Sequence, residues 1–307
     1  MAKHWVATDF GDLDVLEFRD TEVRAPGIGE VTIDVRAAGV NPADFKHISR
    51  PSDRQLPIPI GYEASGIISA IGPETGFQLG DAVLGFRFRG AYATALTVPA
   101  SDVFMKPPSL GFPEAANLLL AGTTATEMLH LTHAGPDDTV LIHGASGAVG
   151  VSAIQQAVFV GARVIGTASE KNFPLLERFG AEPVRYGEGL ADRVRALAPH
   201  GITVALDTVG TREAVQVSLE LVADRSRIVT LTASEDAERE GFHMIAGAVP
   251  SSASAQYRNS VRRTLVDLAG RGKLVVPMAT TFPLADAIEA LRLVKSGHPG
   301  GKVALIP

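Results

Sequence analysis

Apolar and polar positions follow two different rhythms along this chain of 307 residues. From residue 4 to about residue 105, short runs broken by Gly and Pro predominate. EVTIDVRAAGV, residues 30–40, alternates and then runs apolar. ASGIISAIG, DAVLG and AYATALTVP are β-like and bounded by turn residues. This half predicts a compact, mostly β domain. FPEAANLLLAGTTATEMLHLTHAG, residues 112–135, then carries helical spacing rich in Ala, Leu, Glu and Met.

From residue 139 the rhythm becomes strand, helix, strand, helix. TVLIHG, RVIGTA, PVRY, TVALDTVG and RIVTLTA are short β-branched runs. AVGVSAIQQAVFVGA, FPLLERFGA, LADRVRALA and REAVQVSLELVA between them are helical. The alternation predicts an α/β fold, a doubly wound parallel sheet wrapped on both faces. FHMIAGAVP, residues 242–250, is a candidate further strand. Helical patterns over Tyr257–Arg271 and Leu284–Lys295 and a short strand, KVALIP, close the chain. These last elements have no place in the parallel sheet. The expected organisation is therefore a first domain over 1–120, completed by 268–307, and a dinucleotide-binding domain over 121–267.

Composition narrows the function. The chain is 46% hydrophobic and 20% charged, which suits a folded protein with a large core. A net charge of −6 offers no global field for nucleic acid or anionic membranes. There is no cysteine, which excludes disulfides, a Cys nucleophile and thiolate metal sites. The start, MAKHWVATDF, lacks the apolar core of a signal peptide, and no uncharged apolar run is long enough to span a bilayer. The expected location is cytoplasmic.

The most informative stretch is TVLIHGASGAVG, residues 139–150. A strand-like run ends at three glycines, Gly144, Gly147 and Gly150, and a helix opens. That is the context of a dinucleotide-binding turn, although the spacing is G-x-x-G-x-x-G, with Ala145 at the usual first-glycine position. Free amides of Ala148, Val149 and Gly150, with Ser146 beside them, suit a pyrophosphate, and the helix dipole favours the anion. The plain alternative is a tight strand–helix turn.

The second strand of the alternation, RVIGTA, separates NAD from NADP. An NAD enzyme usually carries Asp or Glu at its end to bind the ribose hydroxyls. Here the end reads Thr167, Ala168, Ser169, Glu170, Lys171. The hydroxyl of Ser169 and the ammonium of Lys171 suit a 2′-phosphate, which a carboxylate would repel. NADPH is the expected cofactor, with Glu170 directed to solvent.

AAGVNPADFK, PIGYEASGIISAIG, GDAVLGF, AGTTA, LIHGASGAVG, DTVG and the terminal GGKVALIP together identify a resemblance over nearly the whole chain. The chain resembles the zinc-independent medium-chain dehydrogenases/reductases, in the quinone oxidoreductase (zeta-crystallin-like) branch. The resemblance implies a chaperonin-10-like β domain joined to a Rossmann domain, with the active site in the cleft between them. Zinc-dependent relatives carry Cys where this chain has Asn41 and His where it has Tyr62, beside Glu63. Asn and a phenol are poor replacements, and the four-cysteine structural zinc loop is missing, so no metal is expected.

Without a Lewis acid, the acceptors that fit are those whose developing charge is already delocalised: quinones, and the β-carbon of enones or enals. In the resemblance, Asn41 lines the nicotinamide end of the cleft. Lys46 sits where quinone reductases often carry Tyr, and it contacts ribose or substrate oxygen or donates a proton through water. Tyr62 donates from its hydroxyl. The plain readings are a turn residue for Asn41, a solvated surface lysine for Lys46 and a core aromatic for Tyr62. Asp44 reads as a cap or structural acceptor. The resemblance further places Thr124, Tyr186, Leu231 and Thr232 at the cofactor: Thr124 near the nicotinamide, Tyr186 near the adenosine phosphate, and the backbone of Leu231 and Thr232 along it. Asp207 reads as a strand-end cap and His143 as packing. Phe86 and Phe88 are expected as cleft-wall residues, with Arg87 and Arg89 facing away from them.

The first functional reading is thus an NADPH-dependent reductase of quinones or activated alkenes. A carbonyl reductase on the same fold and an NADPH-binding structural or sensor protein without turnover are the rivals. A long apolar edge at FHMIAGAVP would pair with a second copy, so a homodimer is expected.

Overall fold

The computed structural model describes residues 1–245, 251–297 and 299–307. The chain divides into two compact units, one over 1–120, 263–272 and 276–307, the other over 121–262 and 273–275.

The first unit is mostly β. Its larger sheet runs in the order Met278–Pro283, Lys302–Ile306, Glu30–Val40, Glu63–Ile71, Ala82–Phe86, Val103–Met105, and Ala95–Pro99 also pairs with Glu30–Val40. A smaller sheet joins Leu16–Thr21, Ala2–Ala7 and Ile58–Pro59. In Glu30–Val40 the alternating Val31, Ile33 and Val35 are buried in the core, whereas Asp34 and Arg36 face outward. From Ala37 onward every residue of that strand is buried. The last strand, Lys302–Ile306, runs antiparallel to its end, with Val303 opposite Val40. The helix Ala287–Lys295 buries Ala287, Ala290 and Leu291, the i, i+3, i+4 stripe that its sequence spacing requires.

The second unit is a six-stranded parallel sheet among the described residues. Its order is Glu182–Arg185, Arg163–Ala168, Thr139–His143, Val204–Asp207, Ile228–Thr230, His243–Met244. In chain order this is 3-2-1-4-5-6, the Rossmann arrangement, whose direction reverses at the central strand Thr139–His143. Alternation on that strand feeds two cores. Val140 and Ile142 pack with Ala153, Ile154 and Ala157 of the helix Ala148–Phe159. Leu141 packs with Leu190 and Val194 of the helix Leu190–Leu197 and with Val215 and Val217 of the helix Arg212–Leu221. All three strand residues are fully buried, which is why the run is apolar without polar interruption.

Of the candidate strand FHMIAGAVP, His243–Met244 pairs with Val229–Thr230, and residues 246–250 lie outside the described residues. Among the described residues no helix is long and apolar enough to cross a membrane.

Two side chains expected at a cleft wall behave differently. The strand Ala82–Phe86 ends before Arg87, whose φ of 78° breaks the alternation. Phe88 therefore folds back beneath Gly85, where a Cβ would lie 2.1 Å from its ring, and it is a core residue rather than a wall. Phe86 is buried as well.

Candidate functional site

In the second unit, the expected cofactor residues gather at one edge of the parallel sheet. Gly144 follows the Thr139–His143 strand, Ser169 follows Arg163–Ala168, and Tyr186 follows Glu182–Arg185. Leu231 and Thr232 follow Ile228–Thr230. All four positions lie at carboxyl ends of parallel strands, where open α/β sheets bind ligands.

The glycine turn is built by close backbone approach. Gly144 has φ 73°, and a Cβ there would strike Val209 and Thr208. A Cβ on Gly150 would lie 2.5 Å from the Gly144 carbonyl oxygen and 2.7 Å from Ala145 Cα. Gly147 differs: it is exposed, and its Cβ would meet only the Gly144 carbonyl oxygen, at 3.3 Å. Val151 is the first residue of the helix whose amide bonds the backbone, to Gly147. Among the described residues no backbone carbonyl accepts from the amides of Ala148, Val149 and Gly150, and Ala148 is exposed. Three orphan donors at the N-terminus of a 12-residue helix form an anion cradle, so these residues fit a bound pyrophosphate.

The turn is tied to the second strand. Thr167 accepts from the Ala145 amide with its carbonyl and from the Gly144 amide with Oγ1. Asn172 Nδ2 donates to both Ser146 Oγ and Ser169 Oγ, each at 3.2 Å. Nothing in the sequence marks Asn172 beyond its place three residues after Ser169. Lys171 and Tyr186 are exposed. Glu170 pairs with Arg185 at 3.4 Å, both side chains 68% exposed.

Thr124 lies on the helix Leu119–Leu131 and is buried. Asp207 accepts from the Val209 and Gly210 amides with Oδ1 and from the Thr230 hydroxyl with Oδ2, so it shapes two strand ends. His143 is buried, and burial holds its imidazole down to about 4.

In the first unit, Asn41 caps the short helix Pro42–Lys46 and is 2% exposed. Its amide oxygen accepts from Lys302 Nζ at 2.5 Å, and its Nδ2 donates to Glu63 Oε1 at 2.9 Å. Lys302 Nζ also donates to the Val40 carbonyl and lies 3.5 Å from Glu63 Oε1. The other carboxylate oxygen of Glu63 accepts from the Leu120 amide. Both ends of the Asn41 amide are thus engaged within the protein. Asp44 Oδ2 accepts from the Asn41 amide and from the Tyr92 hydroxyl, both at 2.8 Å. Burial pushes the Asp44 carboxyl up to about 7, against the pull of those two donors and of Lys302.

Tyr62 lies a few residues from this network in the fold. Its hydroxyl hydrogen-bonds His47 Nδ1 and accepts from Arg54 Nη1 at 3.2 Å. The two rings meet edge-on, with centroids 4.8 Å apart. Burial raises the Tyr62 phenol, and Arg54 opposes that shift. Lys46 ends the short helix and is exposed. His47 and Arg54 carried no motif in the sequence. Among the described residues no three His, Cys, Asp or Glu side chains gather as a metal ligand set.

The family profiles agree with this architecture. Residues 27–108 match the alcohol dehydrogenase GroES-like domain, and residues 179–305 match a zinc-binding dehydrogenase family. The quinone oxidoreductase of Pseudomonas syringae pv. Tomato DC3000 is 30% identical over all of both chains, with a TM-score of 0.85. Mycobacterial Rv1454c, solved in complex with NADPH, is 28% identical over all of both chains, TM-score 0.85. CurK enoyl reductase is 26% identical over 99% of each chain, TM-score 0.85. Among curated proteins, the phthioceranic/hydroxyphthioceranic acid synthase of Mycobacterium bovis is 30% identical over 96% of this chain, which spans 15% of that protein. The chain belongs to the medium-chain dehydrogenase/reductase superfamily, in its quinone-oxidoreductase-like branch.

Proposed function

We propose that the protein is a cytoplasmic, zinc-independent oxidoreductase that uses NADPH to reduce a quinone or the activated double bond of an enone or enal, acting as a homodimer. One observation carries the cofactor assignment. The second strand of the parallel sheet ends in Ala168, with Ser169 and Lys171 beyond it, and the nearest carboxylate, Glu170, is paired with Arg185. That end of the strand suits a 2′-phosphate rather than the ribose hydroxyls alone.

The donor chemistry argues against a catalytic zinc in the first unit. At Asn41 an ammonium already occupies the amide oxygen, and at Tyr62 the hydroxyl is engaged by His47 and Arg54. A divalent cation there would meet the charge of Lys302 in a buried setting. These residues do not fit the metal.

When bound, reduced nicotinamide supplies a hydride. The chain's own residues do the rest. The amides of Ala148, Val149 and Gly150, with Gly144, Ser146 and Gly147 shaping the turn, hold the pyrophosphate. Ser169, Lys171 and Tyr186 hold the adenosine phosphate end. Thr124 orients the nicotinamide end, and the backbone of Leu231 and Thr232 faces the cofactor. Tyr62, and Lys46 through water, hold the proton that neutralises the acceptor oxygen, while Asn41 lines the nicotinamide end.

Stopped-flow oxidation of NADPH against a quinone, an enone, an enal and a ketone tests this reading. Rapid turnover with the first three supports it. A clear preference for NADH overturns the cofactor, and reduction of the ketone alone makes the protein a carbonyl reductase. Tight NADPH binding with no acceptor reduced makes it a binding protein. Sedimentation at micromolar concentration checks the dimer.

A further inference from the structure

We propose that His47 is a positioning residue that switches the Tyr62 hydroxyl between acceptor-bound and proton-donating states, with Arg54 fixing the oxygen. The inference rests on the reductase reading above. Three observations support it. The Tyr62 hydroxyl is hydrogen-bonded to His47 Nδ1, and the rings are held edge-on at 88°. Arg54 donates to the same oxygen. The Tyr62 carbonyl is pinned by the Phe88 amide at 3.0 Å, and the His47 amide bonds the Ala43 carbonyl at 3.1 Å, so both side chains project from anchored backbone.

A phenol oxygen accepts up to two hydrogen bonds and donates one. Arg54 can only donate. When His47 is neutral with Nδ1 unprotonated, the Tyr62 proton is directed at that nitrogen and is withheld from any ligand. When His47 is protonated, Nδ1–H and Arg54 both donate to the phenol oxygen, and its own proton is left for a third partner. Tyr62 is then a proton donor because its neighbours are.

The step balances. An acceptor that has taken a hydride carries a negative oxygen. The Tyr62 O–H bond breaks and an O–H bond forms on that oxygen. The Nδ1–H bond of His47 breaks as the Tyr62 O–H bond is restored. The neutral imidazole regains its proton from solvent. The electrons come from the nicotinamide, and the chain moves only the proton.

The charged groups that reach Tyr62 are Arg54 from the segment 49–57, Arg89 from the turn beyond Phe86, and Asp44 from the short helix.

The test uses the full chain with NADPH and the best acceptor of the panel. His47→Gln keeps a polar side chain but cannot carry the proton. Its kcat falls on the order of 100-fold, its NADPH affinity is unchanged, and the parent's loss of kcat with rising pH disappears. Tyr62→Phe falls to the same level, and the double variant falls no further. A kcat and pH profile like the parent's in His47→Gln overturns the proposal, as does a double variant whose losses multiply.

A second readout does not depend on turnover. The Tyr62 ring-carbon NMR signal, assigned by its disappearance in Tyr62→Phe, shifts with pH in the parent and stays flat in His47→Gln. A flat parent signal overturns the switch. If no acceptor is reduced but the shift is present, the reductase reading fails and the His47–Tyr62 coupling stands.

Discussion

Lys302 donates to the amide oxygen of Asn41 from a strand 261 residues further along the chain, and both side chains are buried. The contact makes Asn41 part of a charged interior cluster with Glu63 rather than an open hydrogen-bonding group. It also means that a cation is built into the fold at this point.

Removing that cation strands Glu63, which is 1% exposed. Lys302→Met should cost about 3 kcal/mol, the usual penalty for breaking a buried pair. Lys302→Met combined with Glu63→Gln should recover part of the loss, because no unpaired charge remains. Urea denaturation of the two single variants and the double variant measures the coupling. Losses that simply add would show that the two side chains are energetically independent.

The glycine turn separates a folding role from a binding role. Gly150→Ala drives a methyl group into the backbone of Gly144 and Ala145, so it should destabilise the protein by about 2 kcal/mol and weaken NADPH. Gly147→Ala meets only one oxygen at 3.3 Å, so its melting temperature should stay near that of the parent. Its NADPH affinity should fall by about tenfold or more, because the methyl group lies on the exposed side of the turn beside the cradle amides, about 1.4 kcal/mol. Thermal melts and fluorescence titrations of both variants decide this, and unchanged affinity in Gly147→Ala would remove the pyrophosphate from the turn.

Cofactor choice should move with charge at the end of the second strand. Lys171→Ala should raise the NADPH Michaelis constant by about tenfold while leaving that for NADH alone, since only NADPH carries the extra phosphate. Ser169→Asp should push preference further toward NADH. Equal effects on both coenzymes would show that these side chains do not contact the 2′ position.

The Asp44 carboxyl gives a pH signature. In the unfolded chain it titrates near 3.8, and burial raises it to about 7 in the native protein. Between those values the native state holds a proton that the unfolded state has lost, so this group's contribution to stability falls as pH rises from about 4 to about 7. Asp44→Asn removes that slope. The melting temperature of the variant minus that of the parent should therefore grow with pH across this window, and a constant difference would place the carboxyl in its ordinary range. His143 acts in the opposite sense over nearly the same interval: its native imidazole is held down to about 4 against 6.5 unfolded, so its contribution rises with pH. The comparison with the parent cancels it.

Much of this was legible in the chain itself. Thr139–Gly150 announced its strand, turn and helix because every requirement there is local: an apolar run buried on both faces, a backbone that needs φ above zero at Gly144, and close packing at Gly150. The neutral end of the second strand was equally plain, as was the periodicity that sends Ala287, Ala290 and Leu291 into one core.

Tertiary structure decided the rest. Nothing near Lys302 in sequence marks it as a partner of Asn41; the pairing of Val303 with Val40 puts it there. His47, Arg54 and Asn172 acquire roles only from what surrounds them. Phe88 left its expected wall because Arg87 turns the backbone out of the strand and Gly85 leaves room for a ring. The sequence by itself determined what depends on periods of two and 3.6 residues and on the missing Cβ of glycine, because those act over a few neighbouring residues. Which polar side chains meet in the interior depends on strand pairing between distant segments, and only the folded chain sets that register.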